Sequence, residues 1–588
     1  MLRSDRGPRR ALWFIDDAGE FPTIEMGHQE EGEENRAQRR CQNTASPTVS
    51  GLRNVTHAYK PVMEGAWGPR MSSGGGIPRQ NVLRSALDKG QFLCTAELVL
   101  GRDHNMADAE AFVKAASQQE DGMKVISVTD LPSGNPALPP EGFISYITEH
   151  NLTPIAHITG KDGNRAFLEG RLLTLARLGV ENVLALTGDA QREGFGGKSK
   201  PVFDLDSVLI LSLIQAMRNG IEYNLGARTL RSTPFDYFAG VVVNPYKVNE
   251  PDQMMQLYKL ELKIAAGAQF IITQLGFNLR KLYELKQYMS REGLGHVPVF
   301  ANVYVPTANI ARMMQTGELA GCVVNDALVQ RLANEKKPQR LERGALMVAA
   351  VKDLGFAGAH IGGFGLTHAD FMTILARAAD IAKDWRARMD ELVFAYPGEF
   401  YLFPTGQEGL SDGTGDYQIV QNKRHPFFSQ RVSRLVHRYL IAEGSMGNRF
   451  FAARLKPKAQ MSSGDSWRHG FWYRLLGPST LYRQATLGCV NCGDCLQDHL
   501  NYAGCTMHGC YKELRNGPCG GSRVDGSCEA RPELPCIWNQ IYLGTLALGD
   551  DPKKFARTLI PPRDWSLNLT NSLANRMAGL DNLHKRKE

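Results

Sequence analysis

Between about residues 85 and 390 a short apolar run is followed by a longer amphipathic stretch, and the pair repeats along the chain. Eight of the runs fit β-strands: Phe92–Leu98, Lys124–Thr129, Pro154–Ile158, Asn182–Leu186, Phe238–Val243, Gln269–Thr273, Val297–Val303 and Ala357–Ile361. Between and after them lie helical stretches, among them Arg165–Leu178, Gln253–Ala266 and Ala369–Ile381. In the first of these Leu168, Leu172, Leu175 and Leu178 recur at three- and four-residue spacing, which is one face of an α-helix. Eight strand-then-helix units in about 300 residues predict an α/β fold, a closed (β/α)8 barrel. A doubly wound open sheet is the competing architecture. Against it, no Gly-x-Gly-x-x-Gly turn follows the first strand.

The pattern divides the rest of the chain. Residues 1–80 sustain no helical or strand period, and over 1–70 ten Lys/Arg balance ten Asp/Glu. Such low hydrophobic density does not repay the entropy of ordering, so a disordered tail is expected there. The barrel is expected over 81–395, a basic, aromatic-rich linking or docking region over 396–485, a cysteine-rich metal-binding module over 486–550, and a C-terminal tail over 551–588. Between Lys423 and Arg483 there are twelve Lys/Arg and two acids, Glu443 and Asp465, interleaved with aromatics such as Phe427, Phe450, Trp467 and Trp472. No nucleic-acid-binding motif accompanies that patch. It reads either as helices with a basic outer face or as a docking surface for an acidic partner, such as an electron-carrier protein or partner subunit.

Composition adds bounds. The 588 residues carry 68 Lys+Arg against 61 Asp+Glu, a formal charge of +7, with 43% apolar residues, fractions that exclude collagen-like, coiled-coil and wholly disordered chains. No run of about 18 apolar residues predicts a membrane span. The first residues lack an export signal, since Ala11–Ile15 runs straight into Asp16 and Asp17. A cytoplasmic protein is expected.

Eight of the eleven cysteines fall between Cys489 and Cys536; Cys41, Cys94 and Cys322 are scattered. In a reducing compartment such clustering points to metal rather than disulfides. The cluster opens with Cys489, Cys492 and Cys495 in Cys-x2-Cys-x2-Cys spacing, which brings three thiolates to one centre, and continues with Cys505, Cys510, Cys519, Cys528 and Cys536. Eight thiolates suit an iron–sulfur cluster, zinc, or one of each, and the spacing leaves those alternatives open.

Active sites of (β/α)8 enzymes sit where strands end. Glu97, Thr129, His157, Asp189 and Gln274 each stand at or just after the C-terminal end of a different predicted strand. Taken singly, each has a structural explanation: a solvated acid, a β-branched strand residue, a core histidine, a turn former, a loop cap. Five polar groups on one rim are better explained by function.

At these residues the chain resembles the methylenetetrahydrofolate reductase family. The matching stretches are TAE (Thr95–Glu97), VISVT (Val125–Thr129), PIAHIT (Pro154–Thr159), GVENVLALTGD (Gly179–Asp189), AGAQFIITQLGF (Ala266–Phe277) and VPTAN (Val305–Asn309). The cysteine segment, with NCGDC, NGPCGG and CIW, resembles the C-terminal or small-subunit module found with some members. The resemblance implies a flavoenzyme of one-carbon metabolism and methionine biosynthesis. It reduces 5,10-methylenetetrahydrofolate to 5-methyltetrahydrofolate, or runs the reverse, with FAD or FMN as cofactor and NADH or a protein carrier as electron donor.

The same resemblance assigns roles. Glu97 is the acid that protonates the departing nitrogen. Asp189 lies by flavin and pterin, Thr129 and His157 line the flavin, and Gln274 binds the folate. The chain departs from the family at Thr187, where Arg-Gly-Asp becomes Thr187-Gly188-Asp189, and at Ile310, where a stacking phenylalanine is usual. Lys198 and Lys200, beside the glycines of Gly194–Lys198, are expected to neutralise a cofactor phosphate. Two other readings compete: a non-catalytic electron-transfer or assembly subunit, and a methyltransferase barrel with thiolate-bound zinc, for which Cys94 and Cys322 are poorly placed.

Overall fold

The computed structural model describes residues 81–583, apart from 103–104, 120–121, 420–425 and 462–465. The predicted tail over 1–80, with Cys41, lies outside the described residues. Eight parallel strands close into a barrel: β1 Leu93–Leu98, β2 Val125–Val128, β3 Thr153–Thr159, β4 Asn182–Leu186, β5 Phe238–Val243, β6 Phe270–Thr273, β7 Val299–Tyr304 and β8 Gly358–Gly362. They pair in chain order, and β8 returns to β1 with Thr95 opposite His360. Every predicted strand is present, with ends within two residues of expectation.

The period-2 alternation of each strand sorts its inward residues into layers. The floor is apolar: Val125, Ile155, Leu184, Phe238, Phe270, Ile272 and Phe300 pack with Leu83, which the helix Val82–Asp88 inserts from below. Phe238 and Phe270 stack at 5.3 Å between ring centroids, and Phe270 meets Phe300 edge-on at 6.3 Å. Room for these rings comes from two glycines. A Cβ on Gly240 would lie 2.3 Å from the Phe270 ring, and one on Gly358 2.5 Å from that of Phe300.

Above the floor the layer turns polar. Thr95 Oγ1 and His360 Nδ1 are 2.7 Å apart, and Ser127 Oγ is 3.1 Å from His157 Nε2. Burial depresses both imidazoles, His157 to about 4 and His360 to about 3, so each is neutral at pH 7. Outside the barrel, helices bury their aliphatic faces against the strands, as Arg165–Arg177 does through Leu168, Leu172 and Leu175. Each such side chain contributes about 1.5–3 kcal/mol.

One helix departs from that scheme. Glu250–Ala265 buries Asp252, Gln256, Lys259 and Lys263 as well as its leucines. These residues recur at three- and four-residue spacing, so they form a polar stripe on one side of the helix. The cysteine-rich segment covers Asp252, Gln256 and Lys259, while Lys263 Nζ donates to the Val242 carbonyl of β5. Ser522 Oγ donates to Asp252 Oδ1 at 2.6 Å, and Lys259 Nζ donates to the Gly517 carbonyl at 3.2 Å. Nearby, Lys247 Nζ donates to the Ser522 carbonyl at 2.7 Å, and Asn244 Nδ2 to that of Gly520 at 3.2 Å.

The helix Ile537–Ala547 adds Trp538, Ile541 and Tyr542 to the main core. The segment after 550 packs back as well, with Asn516 and Ile560 exchanging two hydrogen bonds. Its helix Ser572–Met577 buries Ala574 and Met577 against Leu455 and Trp467 of the basic region. That region is helical, and it leaves Phe427, Phe428, Met446 and Phe471 exposed. Among the described residues no helix is long and apolar enough to cross a membrane.

Candidate active site

At the C-terminal ends of the strands lies a cavity of about 920 Å³, at the upper end of the volumes usual for ligand sites. All five rim residues predicted from sequence line it: Glu97, Thr129, His157, Asp189 and Gln274. Its apolar walls, Phe112, Leu184, Leu186 and Ile272 among them, face this polar rim, a combination that suits a planar heteroaromatic ring such as a flavin or pterin. Thr187 and Ile310 line it too.

Glu97 tops β1, pointing inward above Thr95. Its Oε2 lies where a Cβ on Gly362 would come within 2.9 Å, so the absent side chain on β8 makes its space. No cation pairs with it among the described residues, and burial alone lifts its carboxyl to about 7. It therefore holds a proton where an ordinary glutamate has lost it. Tyr304, beside it, is pushed above the usual phenol range by burial and by the Glu97 charge. Thr129 is tied to β1, its Oγ1 donating to the Leu98 carbonyl at 3.4 Å. Gln274 folds its own side-chain carbonyl onto the Leu275 N–H at 3.0 Å, which leaves its amide end near Gly321.

Asp189 sits in the turn after β4. Burial raises its carboxyl, and the Glu529 charge adds to that, while Lys512 and Lys161 oppose it. The turn is braced by the β2 loop, where Leu131 and Ser133 adopt left-handed φ of 44° and 55°. Gly134, at φ 74°, brings its backbone so close that a Cβ would lie 2.0 Å from the Ala190 carbonyl.

Several lining residues escaped the sequence reading. His360 and Tyr304 could have been found from the alternation of their strands. Lys512 and Glu529 come from the cysteine-rich segment with Cys519, which the sequence assigned to a metal site, and no local signal places any of the three at this cavity. Two expectations are corrected. Lys198 and Lys200 are exposed on and beside a short ribbon and do not line the cavity, whose lysines are Lys161, Lys263 and Lys512. Cys322, expected to be poorly placed, does line the cavity, but burial pushes its thiol up to about 12 and leaves it a poor nucleophile.

The eight clustered cysteines are free thiols in two groups. Cys489, Cys492, Cys495 and Cys505 line one small cavity. In the other group, burial raises Cys536, with added effect from Cys519 and Cys510, and Cys510 in turn feels Cys528. The donor chemistry suits a thiophilic metal. The sulfurs do not converge as they stand: among the described residues no three Cys, His, Asp or Glu side chains are placed to hold an ion.

Comparison with known proteins follows the same division. Residues 82–366 match the family model described as methylenetetrahydrofolate reductase, and 474–566 that of a methylene-tetrahydrofolate reductase C terminal. Methylenetetrahydrofolate reductase 2 of Schizosaccharomyces pombe is 25% identical over 200 residues, 32% of this chain. The match spans only 28% of that relative's length. Among solved structures, a Clostridium thermocellum protein that binds two copies of 5-methyl-5,6,7,8-tetrahydrofolic acid is 13% identical with a TM-score of 0.36, over 52% of this chain and 99% of its own. A putative deoxyribose-phosphate aldolase from Toxoplasma gondii is 12% identical with a TM-score of 0.26, over 52% and 98%.

Proposed function

The chain belongs to the methylenetetrahydrofolate reductase family, and from that premise we propose that it reduces 5,10-methylenetetrahydrofolate to 5-methyltetrahydrofolate, a bound flavin supplying the hydride. The observation that carries the reading is Glu97, a carboxyl inside the cavity that no cation pairs with among the described residues and that keeps its proton to about pH 7. The five-membered ring of the substrate opens only when its departing nitrogen is protonated, and a neutral carboxylic acid in an apolar setting is suited to give that proton. Opening leaves an electron-poor iminium carbon. Asp189 faces the same cavity, and with Lys512 and Lys161 beside it, opposing the upward shift from burial, its ionised form would stabilise that charge. Gln274 offers its amide to the folate ring. Thr129 and His157 line the wall against which the flavin, FAD or FMN, would lie, and the neutral His157 adds no competing charge.

The reductant is NADH, binding in turn at the same cavity, or a protein carrier meeting the basic, aromatic region. The two cysteine groups are proposed metal sites, iron–sulfur or zinc. The direct test is Glu97→Gln. It should retain flavin and its reduction by the donor, yet lose at least 100-fold in methylenetetrahydrofolate turnover. Wild-type turnover should fall as pH rises through about 7, as Glu97 loses its proton. Unchanged folate turnover in Glu97→Gln removes Glu97 from the acid role, and a colourless protein after flavin supplementation removes the flavin.

A further inference from the structure

Asp189 is held at both of its neighbours by one ion pair from the far end of the chain. Lys512 Nζ donates to the Gly188 carbonyl at 2.7 Å, and Glu529 Oε1 accepts from the Ala190 N–H at 3.2 Å. Lys512 and Glu529 pair with each other, with side chains only 3% and 5% exposed. The position before Gly188 brings no cation, since Thr187 stands there. Space for the pair is specific. A Cβ on Gly521 would lie 1.2 Å from Glu529 Oε2, so any other residue there would push the carboxylate out of its present position. Gly188, at φ +89°, has the backbone freedom to turn its carbonyl toward Lys512.

A buried ion pair is a poor source of stability, because desolvation offsets most of its attraction. Its value lies in direction. Each partner reaches a different peptide group, and between those groups lies the residue that faces the reacting carbon.

We infer that the Lys512–Glu529 pair is a positioning device for Asp189, carried by the cysteine-rich segment to complete the cavity of the barrel. The inference deepens the proposed function and rests on it for the role of Asp189. Both residues also line the cavity, but the role inferred for them is carried through the backbone. They hold the Gly188–Ala190 backbone so that the Asp189 carboxylate faces the substrate. The cysteine-rich segment is then part of the active site whatever its thiols bind.

The test uses the full chain and two readouts. Lys512→Met/Glu529→Gln removes both charges together, so that neither is left buried and unpaired. Amide hydrogen exchange over residues 187–192 should rise at least tenfold in that variant, and Lys512→Arg should keep it within threefold of wild type. With methylenetetrahydrofolate as substrate, kcat should fall at least tenfold in the double variant while KM stays within threefold. In an Asp189→Asn background the same pair of changes should lower kcat less than twofold further, because residues that act as a unit are not additive. Unchanged exchange over 187–192, or fully additive kcat losses with Asp189→Asn, overturns the inference. A wild-type chain that turns over no methylenetetrahydrofolate refutes the proposed function instead, and the exchange readout still decides whether the clamp exists.

Discussion

The barrel and the cysteine-rich segment are held by different chemistry. Within the barrel, strands and helices meet through aliphatic and aromatic side chains, and the floor is three phenylalanines with their neighbours. Where the segment's helix Ile537–Ala547 meets the barrel the contact is apolar too, through Trp538, Ile541 and Tyr542, but where its 517–522 loop closes the cavity the contacts are polar: Lys247, Lys259 and Asn244 donate to the carbonyls of Ser522, Gly517 and Gly520, and Asp252 accepts from Ser522. Apolar packing is tolerant of small shifts and gains from area. A buried hydrogen bond to a charged group is directional and fails if its partner moves by an ångström. The difference teaches that the barrel is built to be stable and the junction to be placed, which is what a shared cavity wall requires.

Acid should break the barrel side first and most. His157 and His360 have folded values of about 4 and 3 against about 6.5 in an unfolded chain. The unfolded chain then binds more protons across that window, so stability is complete above about 6.5 and is lost as pH falls. A loss on the order of 5 kcal/mol by pH 3 is expected in denaturant titrations, with a shallower profile in His157→Gln/His360→Gln. A profile equally steep in that variant would place the loss elsewhere.

Next in size, Phe270→Ala empties the centre of the floor and should lower unfolding free energy by about 4 kcal/mol, moving the whole transition together. Lys259→Met strands the Asp206 carboxylate, 3.3 Å from the lysine and equally buried. It should cost about 3 kcal/mol. Limited proteolysis should show the 510–530 segment yielding before the barrel, and simultaneous digestion of both would erase the distinction drawn here. Ser522→Ala removes one hydrogen bond to Asp252 and should cost about 1.5 kcal/mol, read as faster amide exchange around 520–526 with the barrel strands unmoved.

Much of the barrel was legible because its signal is local. A strand's alternation and a helix's leucine spacing each span a dozen residues, and eight repeats leave few architectures. Glu97, Thr129, His157, Asp189 and Gln274 were found by position alone, as polar residues where strands end. The junction was not legible. Gln256, Lys259 and Lys263 look like the solvated face of an amphipathic helix, and a polar stripe does not reveal whether water or protein will cover it. Lys512 meets Gly188 across 324 residues, and nothing near either one encodes the other. Local reading likewise pointed to Lys198 and Lys200, which follow the turn in sequence but do not line the cavity.

The wall that carries Lys512 and Glu529 is part of the same polypeptide as the cavity it closes. Its docking is therefore a first-order event, set by an effective concentration that the chain between them fixes and dilution does not change. The same two parts as separate molecules would be joined by a second-order step, and dilution would part them. Here one wall is supplied to each barrel, so the fraction of complete sites stays the same from a concentrated stock to a nanomolar assay.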